Sequence, residues 1–200
     1  MNEPAIDPQK FFKTAFIFES SLILVAIILG AIAEINPFEF MIFNERVLLN
    51  GIIGTLPLCV IFLALNHIKT DALLKIRQVL YDTLGESLLH LHWTDLFILA
   101  MVAGVSEELL FRGVIQPWLE NSWGIVAGLI ISSIIFGLVH AVTLLYFILA
   151  ASVSFYLGLY LDYETTRNLV TPIIIHGLYD FFAFIVILHG YRLELKKRTK

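Results

Sequence analysis

The chain has 200 residues, of which 58 % are hydrophobic and 15 % are charged, and its mean hydropathy is +0.85. Soluble domains contain about 45–50 % apolar and about 25 % charged residues, so this composition excludes an ordinary water-soluble domain and indicates an integral membrane protein. The net charge of −4 gives no indication of nucleic-acid binding. The length fits a single membrane domain over residues 1–200, and the lone Cys59 excludes an internal disulfide.

Stretches of mostly apolar residues predict an all-α, polytopic bundle with about six transmembrane helices. A helical span needs roughly 17–25 such residues. The first stretch follows Lys10 and Lys13 without a cleavage site ahead of it, so we expect it to remain in the membrane. The six predicted spans are Phe11–Ile35, Val47–Leu65, Trp93–Trp118, Trp123–Val142, Leu144–Leu161 and Thr171–Leu188.

The segment between the second and third spans, Asp71–His92, predicts an amphipathic helix. Its leucines and Ile76 recur at helical spacing, and charged residues such as Lys75 and Asp82 fall between them. A helix of this kind either lies along the membrane surface or packs on the bundle, and the pattern is compatible with both.

The basic residues predict the orientation of the chain. With six spans, only Arg46 and Arg167 fall in segments on the outer side, and Arg112 falls within a span. The inner segments hold Lys10, Lys13, Lys69, Lys75, Arg77, Arg192, Lys196, Lys197, Arg198 and Lys200. Lysine and arginine favour the cytoplasmic side, so we expect both termini to be cytoplasmic.

Ionisable residues inside predicted spans indicate a functional site, because each costs about 2.5–3.5 kcal/mol on insertion scales. The third span holds Glu107, Glu108 and Arg112, the fourth holds His140, and the last holds His176 and Asp180. Glu108 and Arg112, Phe136 and His140, and His176 and Asp180 each lie four residues apart, and so share one face of a helix. Glu107 lies about 100° around the helix from Glu108, so the two acids need not have the same role.

Carboxylates and histidines in a site of low dielectric constant suit general-base activation of water, since burial raises a carboxylate's pKa towards the working pH. Metal binding is the competing chemistry, because Glu107, His140 and His176 offer the ligand atoms that zinc prefers. The sequence lacks the His-Glu-x-x-His arrangement and a nucleophile-elbow motif around Ser106. The residues alone leave the question of metal open.

At these positions the chain resembles the CPBP family, which contains the type II CAAX prenyl endopeptidases and bacterial proteins linked to bacteriocin processing and immunity. The resemblance rests on Glu-Glu-x-x-x-Arg at 107–112, Phe-x-x-x-His at 136–140 and His-x-x-x-Asp at 176–180. It extends over a catalytic core at about residues 84–182. It implies an intramembrane endopeptidase that acts on a membrane-associated peptide or protein, including CAAX-type substrates.

The resemblance also implies roles for the residues. Glu107 and His140 match the pair that is thought to activate water, and His176 and Asp180 match the oxyanion site. Arg112 would then anchor the acidic pair, with Phe136 as packing support. The family commonly has asparagine at the position of Asp180. An ionised aspartate cannot donate a hydrogen bond, so Asp180 must be protonated, orient His176 or bind a metal.

Other readings follow from the same residues. Glu108 and Arg112 also suit a structural ion pair, and a membrane protein without catalysis, such as an immunity factor, or a proton-coupled transporter would use similar groups. Six simple spans place His140 near the inner end of its helix and His176 near the outer end of its own. The two can meet only if helices are kinked, tilted or partly re-entrant, with Gly104 and Pro172 as candidate break points, or if the predicted span boundaries are wrong.

Overall fold

The computed structural model describes residues 7–163 and 166–198, and within these residues it is all-helical without a strand, as predicted. The predicted positions of Lys200 and of the first six residues lie outside the described part. The helices are α1 (Pro8–Ala33), α2 (Glu45–His67), α3 (Asp71–Leu80), α4 (Glu86–Leu89), α5 (Trp93–Leu110), α6 (Gln116–Trp123), α7 (Ile125–Val139), α8 (Leu144–Leu161) and α9 (Val170–Arg198).

Polar residues fix where several of these helices begin. The Asp7 carboxylate accepts a hydrogen bond from the Gln9 amide at α1, and Asn44 accepts one from Val47 at α2. His92 forms a capping box with Asp95 at the start of α5. Such caps satisfy backbone amides that have no partner within the helix, so they define where these helices begin.

Four helices of the described chain, α1, α2, α8 and α9, are long and apolar enough to cross a membrane. The predicted third and fourth spans do not meet these requirements of length, hydropathy and low charge. The third contains Asp95, Glu107 and Glu108, and the fourth, α7, has only 15 residues. The bundle therefore includes one helix, α5, that carries three carboxylates, and one short helix, α7, that has no ionisable residue and ends just before His140.

The boundaries of these two rods differ from the predicted spans. A π-helical segment, Phe111–Ile115, joins α5 to α6 without a break, so the rod continues to Trp123 rather than ending at Trp118. Gly124, with a positive φ of 87°, then turns the chain into α7. Helix α5 runs through Gly104 and α9 runs through Pro172, so neither residue ends its helix.

Close helix packing sets the centre of the bundle. A Cβ atom at Gly104 of α5 would lie 2.7 Å from the backbone nitrogen of Gly177 on α9, and one at Gly51 of α2 would lie 2.6 Å from the side chain of Ile174. Small residues at such crossings let helix backbones approach within the membrane. Helix α9 is thereby held between α5 and α2, and its second turn lies against the charged part of α5.

The amphipathic segment is helical, as predicted, with a π-helical stretch at Tyr81–Gly85 between α3 and α4. Its apolar face packs on the bundle. Leu88 is fully buried, and Tyr81 and Leu88 belong to a core cluster with Ile187 and Leu188 of α9. Of the two arrangements that the sequence allows, the structure therefore shows packing against the second half of α9.

Candidate active site

The predicted site residues come from three helices and lie at one depth. Glu107 and Glu108 lie near the end of α5, His140 follows the last residue of α7, and His176 and Asp180 lie in the first half of α9. Trp123 is sixteen residues after Glu107, and His140 is sixteen residues after Gly124. At 1.5 Å per residue, both arms of this hairpin are about 24 Å long, which returns His140 to the level of Glu107.

Glu107 lies between the two histidines. Its Oε2 atom is 3.6 Å from Nε2 of His140 and 3.9 Å from Nε2 of His176. The same oxygen is buried, and among the described residues it has no hydrogen-bond partner. An unpartnered carboxylate oxygen between two imidazole nitrogens is a position that a water molecule can bridge.

His140 is held in one orientation. Its Nδ1–H donates to the carbonyl oxygen of Phe136 at 2.8 Å, so Nε2 is the nitrogen that points to Glu107. The Phe136 ring stacks on the imidazole with a centroid distance of 4.2 Å and an interplanar angle of 20°. The tautomer and the plane of the ring are therefore both fixed by the last turn of α7.

Glu108 is fully buried and, unlike Glu107, does not line the cavity described below. Its Oε1 atom accepts from Arg112 Nη1 at 2.9 Å and from His176 Nδ1 at 2.7 Å. Arg112 Nη2 in turn donates to the carbonyl and hydroxyl oxygens of Ser154 on α8. Glu108 thus ties three helices together and leaves Nε2 of His176 directed at Glu107.

Asp180 lies one turn after His176 on α9, with its Oδ2 atom 3.5 Å from Nε2 of that histidine. Arg112 also lies over the Phe136 ring, 5.4 Å from its centroid. The structure therefore brings together all seven residues that the sequence singled out. We call the six ionisable ones, Glu107, Glu108, Arg112, His140, His176 and Asp180, the site network.

A cavity of about 440 Å³ opens from the site network between α2, α3, α8 and α9. Glu107, His140, His176 and Asp180 lie at one part of its wall, and apolar side chains such as Leu58 line most of the remainder. A largely apolar pocket with a few convergent polar groups is the usual form of a ligand-binding site. The amphipathic segment contributes Leu73, Ile76, Arg77, Leu80, Tyr81 and Leu84 to its wall.

Zinc in proteins is bound by three or four nitrogen, oxygen or sulfur ligands that surround the ion. Within residues 7–163 and 166–198, no group of three or more histidine, cysteine, aspartate or glutamate side chains that could hold a metal ion is found. A metal bound by Glu107, His140 and His176 stays a prediction.

Sequence reasoning missed Glu19 and Ser154. Glu19 lies on α1, its Oε2 atom is buried without a hydrogen-bond partner in the described chain, and it interacts electrostatically with Glu107 and Asp180. The signal was present, because Glu19 is an acid inside a predicted span. Ser154 gave no signal, since serine is common in membrane helices and its partner Arg112 is 42 residues away.

Comparison with known families gives one match. Residues 88–182, nearly half of the chain, match a family model described as type II CAAX prenyl endopeptidase, Rce1-like. The predicted family resemblance is thereby confirmed, and the match supports a protease at the level of enzyme class. No match was found among curated proteins or among solved structures.

Proposed function

We propose that this chain, which over residues 88–182 is similar to the type II CAAX prenyl endopeptidases, is an intramembrane endopeptidase that cleaves a membrane-associated peptide with an activated water molecule. The observation that carries the proposal is the unpartnered Glu107 Oε2 atom, 3.6 Å and 3.9 Å from two imidazole nitrogens at the wall of an apolar cavity.

Glu107 is the general base in this proposal. Water held between its Oε2 atom and Nε2 of His140 loses a proton to the carboxylate while its oxygen attacks the peptide carbonyl carbon. Glu107 then delivers that proton to the leaving amine nitrogen as the C–N bond breaks. Positioned acid–base groups of this kind contribute about 10²–10⁴-fold to a rate, and the buried site excludes competing bulk water.

Glu108 and Arg112 act as positioning residues. Glu108 holds Nδ1 of His176, so Nε2 is the nitrogen that faces the substrate carbonyl. A hydrogen bond to one imidazole nitrogen fixes the role of the other. The protonated imidazole donates from Nε2 towards the developing oxyanion. Asp180, with its Oδ2 atom 3.5 Å from that nitrogen, favours the protonated form of His176.

The cavity supports a substrate with a large apolar part. Its wall is mostly leucine, isoleucine, phenylalanine and tyrosine, and it reaches from Glu107 on α5 to the amphipathic segment. Such a lining favours a lipid-modified or membrane-embedded peptide through burial of apolar surface. A CAAX-type substrate, in which a prenylated cysteine is followed by three residues, fits this chemistry.

The orientation follows from charge. Arg46 and Arg167 lie at one end of the bundle, which is marked by the backbone hydrogen bond from Leu169 to Phe40. Lys75 and Arg77 lie on the amphipathic segment, beside the second half of α9. Excess positive charge marks the cytoplasmic side, so both termini are cytoplasmic in this proposal. Labelling of cysteines introduced at Lys69 and Arg46 in intact cells checks it, and labelling from outside at Lys69 would contradict it.

The test uses purified protein in detergent and a farnesylated peptide with three residues after its cysteine, carrying a fluorophore and a quencher on either side of the cleavage site. Wild type is expected to cleave it, and Glu107→Gln is expected to lose about 10³-fold in kcat with an unchanged melting temperature. The matched control, Glu39→Gln, changes an exposed acid on a loop and is expected to retain full activity.

The same assay with non-lipidated membrane peptides separates the substrate from the reaction. Cleavage of only these peptides, still dependent on Glu107, would support the endopeptidase and remove the CAAX-type substrate. Turnover by Glu107→Gln at the wild-type rate would contradict the proposed mechanism. Binding of the peptide without cleavage by wild type would favour a catalytically silent membrane protein.

A further inference from the structure

The oxyanion site has one donor fewer than a tetrahedral intermediate uses. His176 Nε2 supplies a single N–H, and Asp180, when ionised, has only acceptor atoms. Oxyanion holes commonly combine two donors, and loss of one costs about 10²–10³-fold in kcat. Another side chain at the wall of the cavity can supply a second donor.

Tyr146 is a cavity-lining residue whose side chain can donate a hydrogen bond. It belongs to the first turn of α8, and its backbone amide bonds to the Thr143 side chain at 3.1 Å, which fixes that turn. The side chain lines the same cavity as Glu107, His140, His176 and Asp180. Its phenol interacts electrostatically with the carboxylates of Asp180 and Glu107.

The Tyr146 hydroxyl is also available. Among the described residues it forms no hydrogen bond to protein, although the backbone of the same residue is bonded at the helix cap. A phenol donates one hydrogen bond through its O–H group and remains protonated at neutral pH. It can therefore offer a proton to a negative oxygen without losing that proton.

Three other tyrosines line the cavity, and each has a different environment. Tyr156 donates its hydroxyl to the carbonyl oxygen of Gly54 at 2.8 Å. Tyr179 packs edge-on against Phe62 of α2, with ring centroids 6.0 Å apart. Tyr81, on the amphipathic segment, lies against Tyr191 of α9. Tyr146 is distinguished from these by its interaction with Glu107.

We propose that Tyr146 is a catalytic residue that donates its O–H to the oxyanion of the tetrahedral intermediate, in place of the amide donor that asparagine would supply at position 180. This inference rests on the proposed endopeptidase function. The water oxygen bonds to the carbonyl carbon, its proton passes to Glu107, and the carbonyl oxygen becomes the anion that Tyr146 and His176 bind. When the C–N bond breaks, the oxyanion becomes a carbonyl again and Tyr146 keeps its proton.

The test compares Tyr146→Phe with Tyr163→Phe on the farnesylated fluorogenic peptide. Tyr146→Phe removes only a hydroxyl, so it is expected to lower kcat by about 10²-fold or more while KM and the melting temperature stay close to wild type. Tyr163→Phe, which changes an exposed tyrosine that does not line the cavity, is expected to keep kcat within threefold. A Tyr146→Phe enzyme with kcat within twofold of wild type would overturn the inference.

Asp180→Asn supplies the second measurement, because it introduces an amide donor beside His176. If Tyr146 replaces that donor, Tyr146→Phe is expected to cost at least tenfold less in the Asp180→Asn background than in wild type. Contacting residues that share one role show such coupling, whereas a structural role for Tyr146 gives equal losses in both backgrounds, and equal losses would contradict the inference. Absence of cleavage by wild type, with Glu107→Gln as reference, would overturn the proposed function and this inference with it.

Discussion

Two polar networks follow one another along the continuous helix formed by α5, the π-helical segment and α6, with Glu107 of the first about 20 Å from Glu120 of the second. They differ in how fully their hydrogen bonds are satisfied. The second one, which we call the loop network, comprises Gln116, Glu120, Asp162 and Arg167. Arg167 bonds to Glu120 at 2.7 Å and to both carboxylate oxygens of Asp162 at 2.7 Å and 2.8 Å. Gln116 donates to the remaining oxygen of Glu120 at 2.8 Å.

The site network has longer contacts and more unpartnered atoms. Buried atoms without a hydrogen-bond partner in the described chain include Glu107 Oε2, Glu108 Oε2 and Arg112 Nε, whereas in the loop network only Gln116 Oε1 is of this kind. A buried polar atom without a partner costs about 1–3 kcal/mol. Satisfied bonds at 2.7–2.8 Å stabilise a fold, whereas the unpartnered Glu107 Oε2 atom at the cavity wall is placed to bind a substrate or water.

Glu108→Ala is expected to give the largest effect on stability and tests whether the site network also holds the fold. The substitution leaves Arg112 buried without its carboxylate and frees Nδ1 of His176. Removal of one partner from a buried ion pair costs about 3–5 kcal/mol. Chemical denaturation in detergent micelles measures this loss, and a matching loss of activity is expected at temperatures where the variant remains folded.

The neighbouring Glu107→Gln provides the comparison. It is expected to leave the free energy of unfolding unchanged, because Oε2 of Glu107 has no hydrogen bond to lose among the described residues. Equal losses of stability in the two variants would contradict the division of roles between these adjacent acids.

The sequence predicted more of the site than of the fold around it. Spacing of four residues placed Glu108 with Arg112 and His176 with Asp180, and both contacts are present in the structure. Periodicity defines the face of a helix but not its depth in the bundle. The depth of His140 depends on the π-helical segment Phe111–Ile115 and on the turn at Gly124, and neither has a hydrophobic signature.

The loop network could not be predicted for a related reason. Arg167 and Glu120 are 47 residues apart, and each lies in a polar segment where a solvated charge is unremarkable. Asn168, which donates to the carbonyl oxygen of Ile42 across 126 residues, gave no local signal either. Long-range partners of this type depend on how complete helices pack, and the motif spacing does not contain that information.

Arg167→Ala is expected to have a smaller effect than Glu108→Ala, and an effect on stability only. Burial lowers the pKa of Arg167, but hydrogen bonds to Asp162 and Glu120 outweigh it and keep the pKa above its ordinary value, so the guanidinium is charged at every working pH. Loss of its bonds should lower the free energy of unfolding by about 1–3 kcal/mol. The kcat of the folded variant on the farnesylated peptide should stay within twofold of wild type.

A larger effect on kcat would contradict the assignment of the loop network to structure. Lys10→Ala, which changes an exposed cation on α1, serves as the matched control and is expected to alter neither stability nor activity.

Complete removal of metal is expected to have no effect on activity. It tests whether the unpartnered atoms of the site network bind water or a metal ion. Among the described residues, no group of three or more histidine, cysteine, aspartate or glutamate side chains that could hold a metal ion is found. Each histidine instead uses Nδ1 to hold its ring, on the Phe136 carbonyl or on Glu108, and presents Nε2 to the same carboxylate oxygen. This arrangement suits a proton that moves between water and Glu107.

Metal analysis of the purified protein, followed by dialysis against a chelator and assay of the farnesylated peptide, measures how far activity depends on metal. Activity that is lost on chelation and restored by zinc would contradict the proposed mechanism.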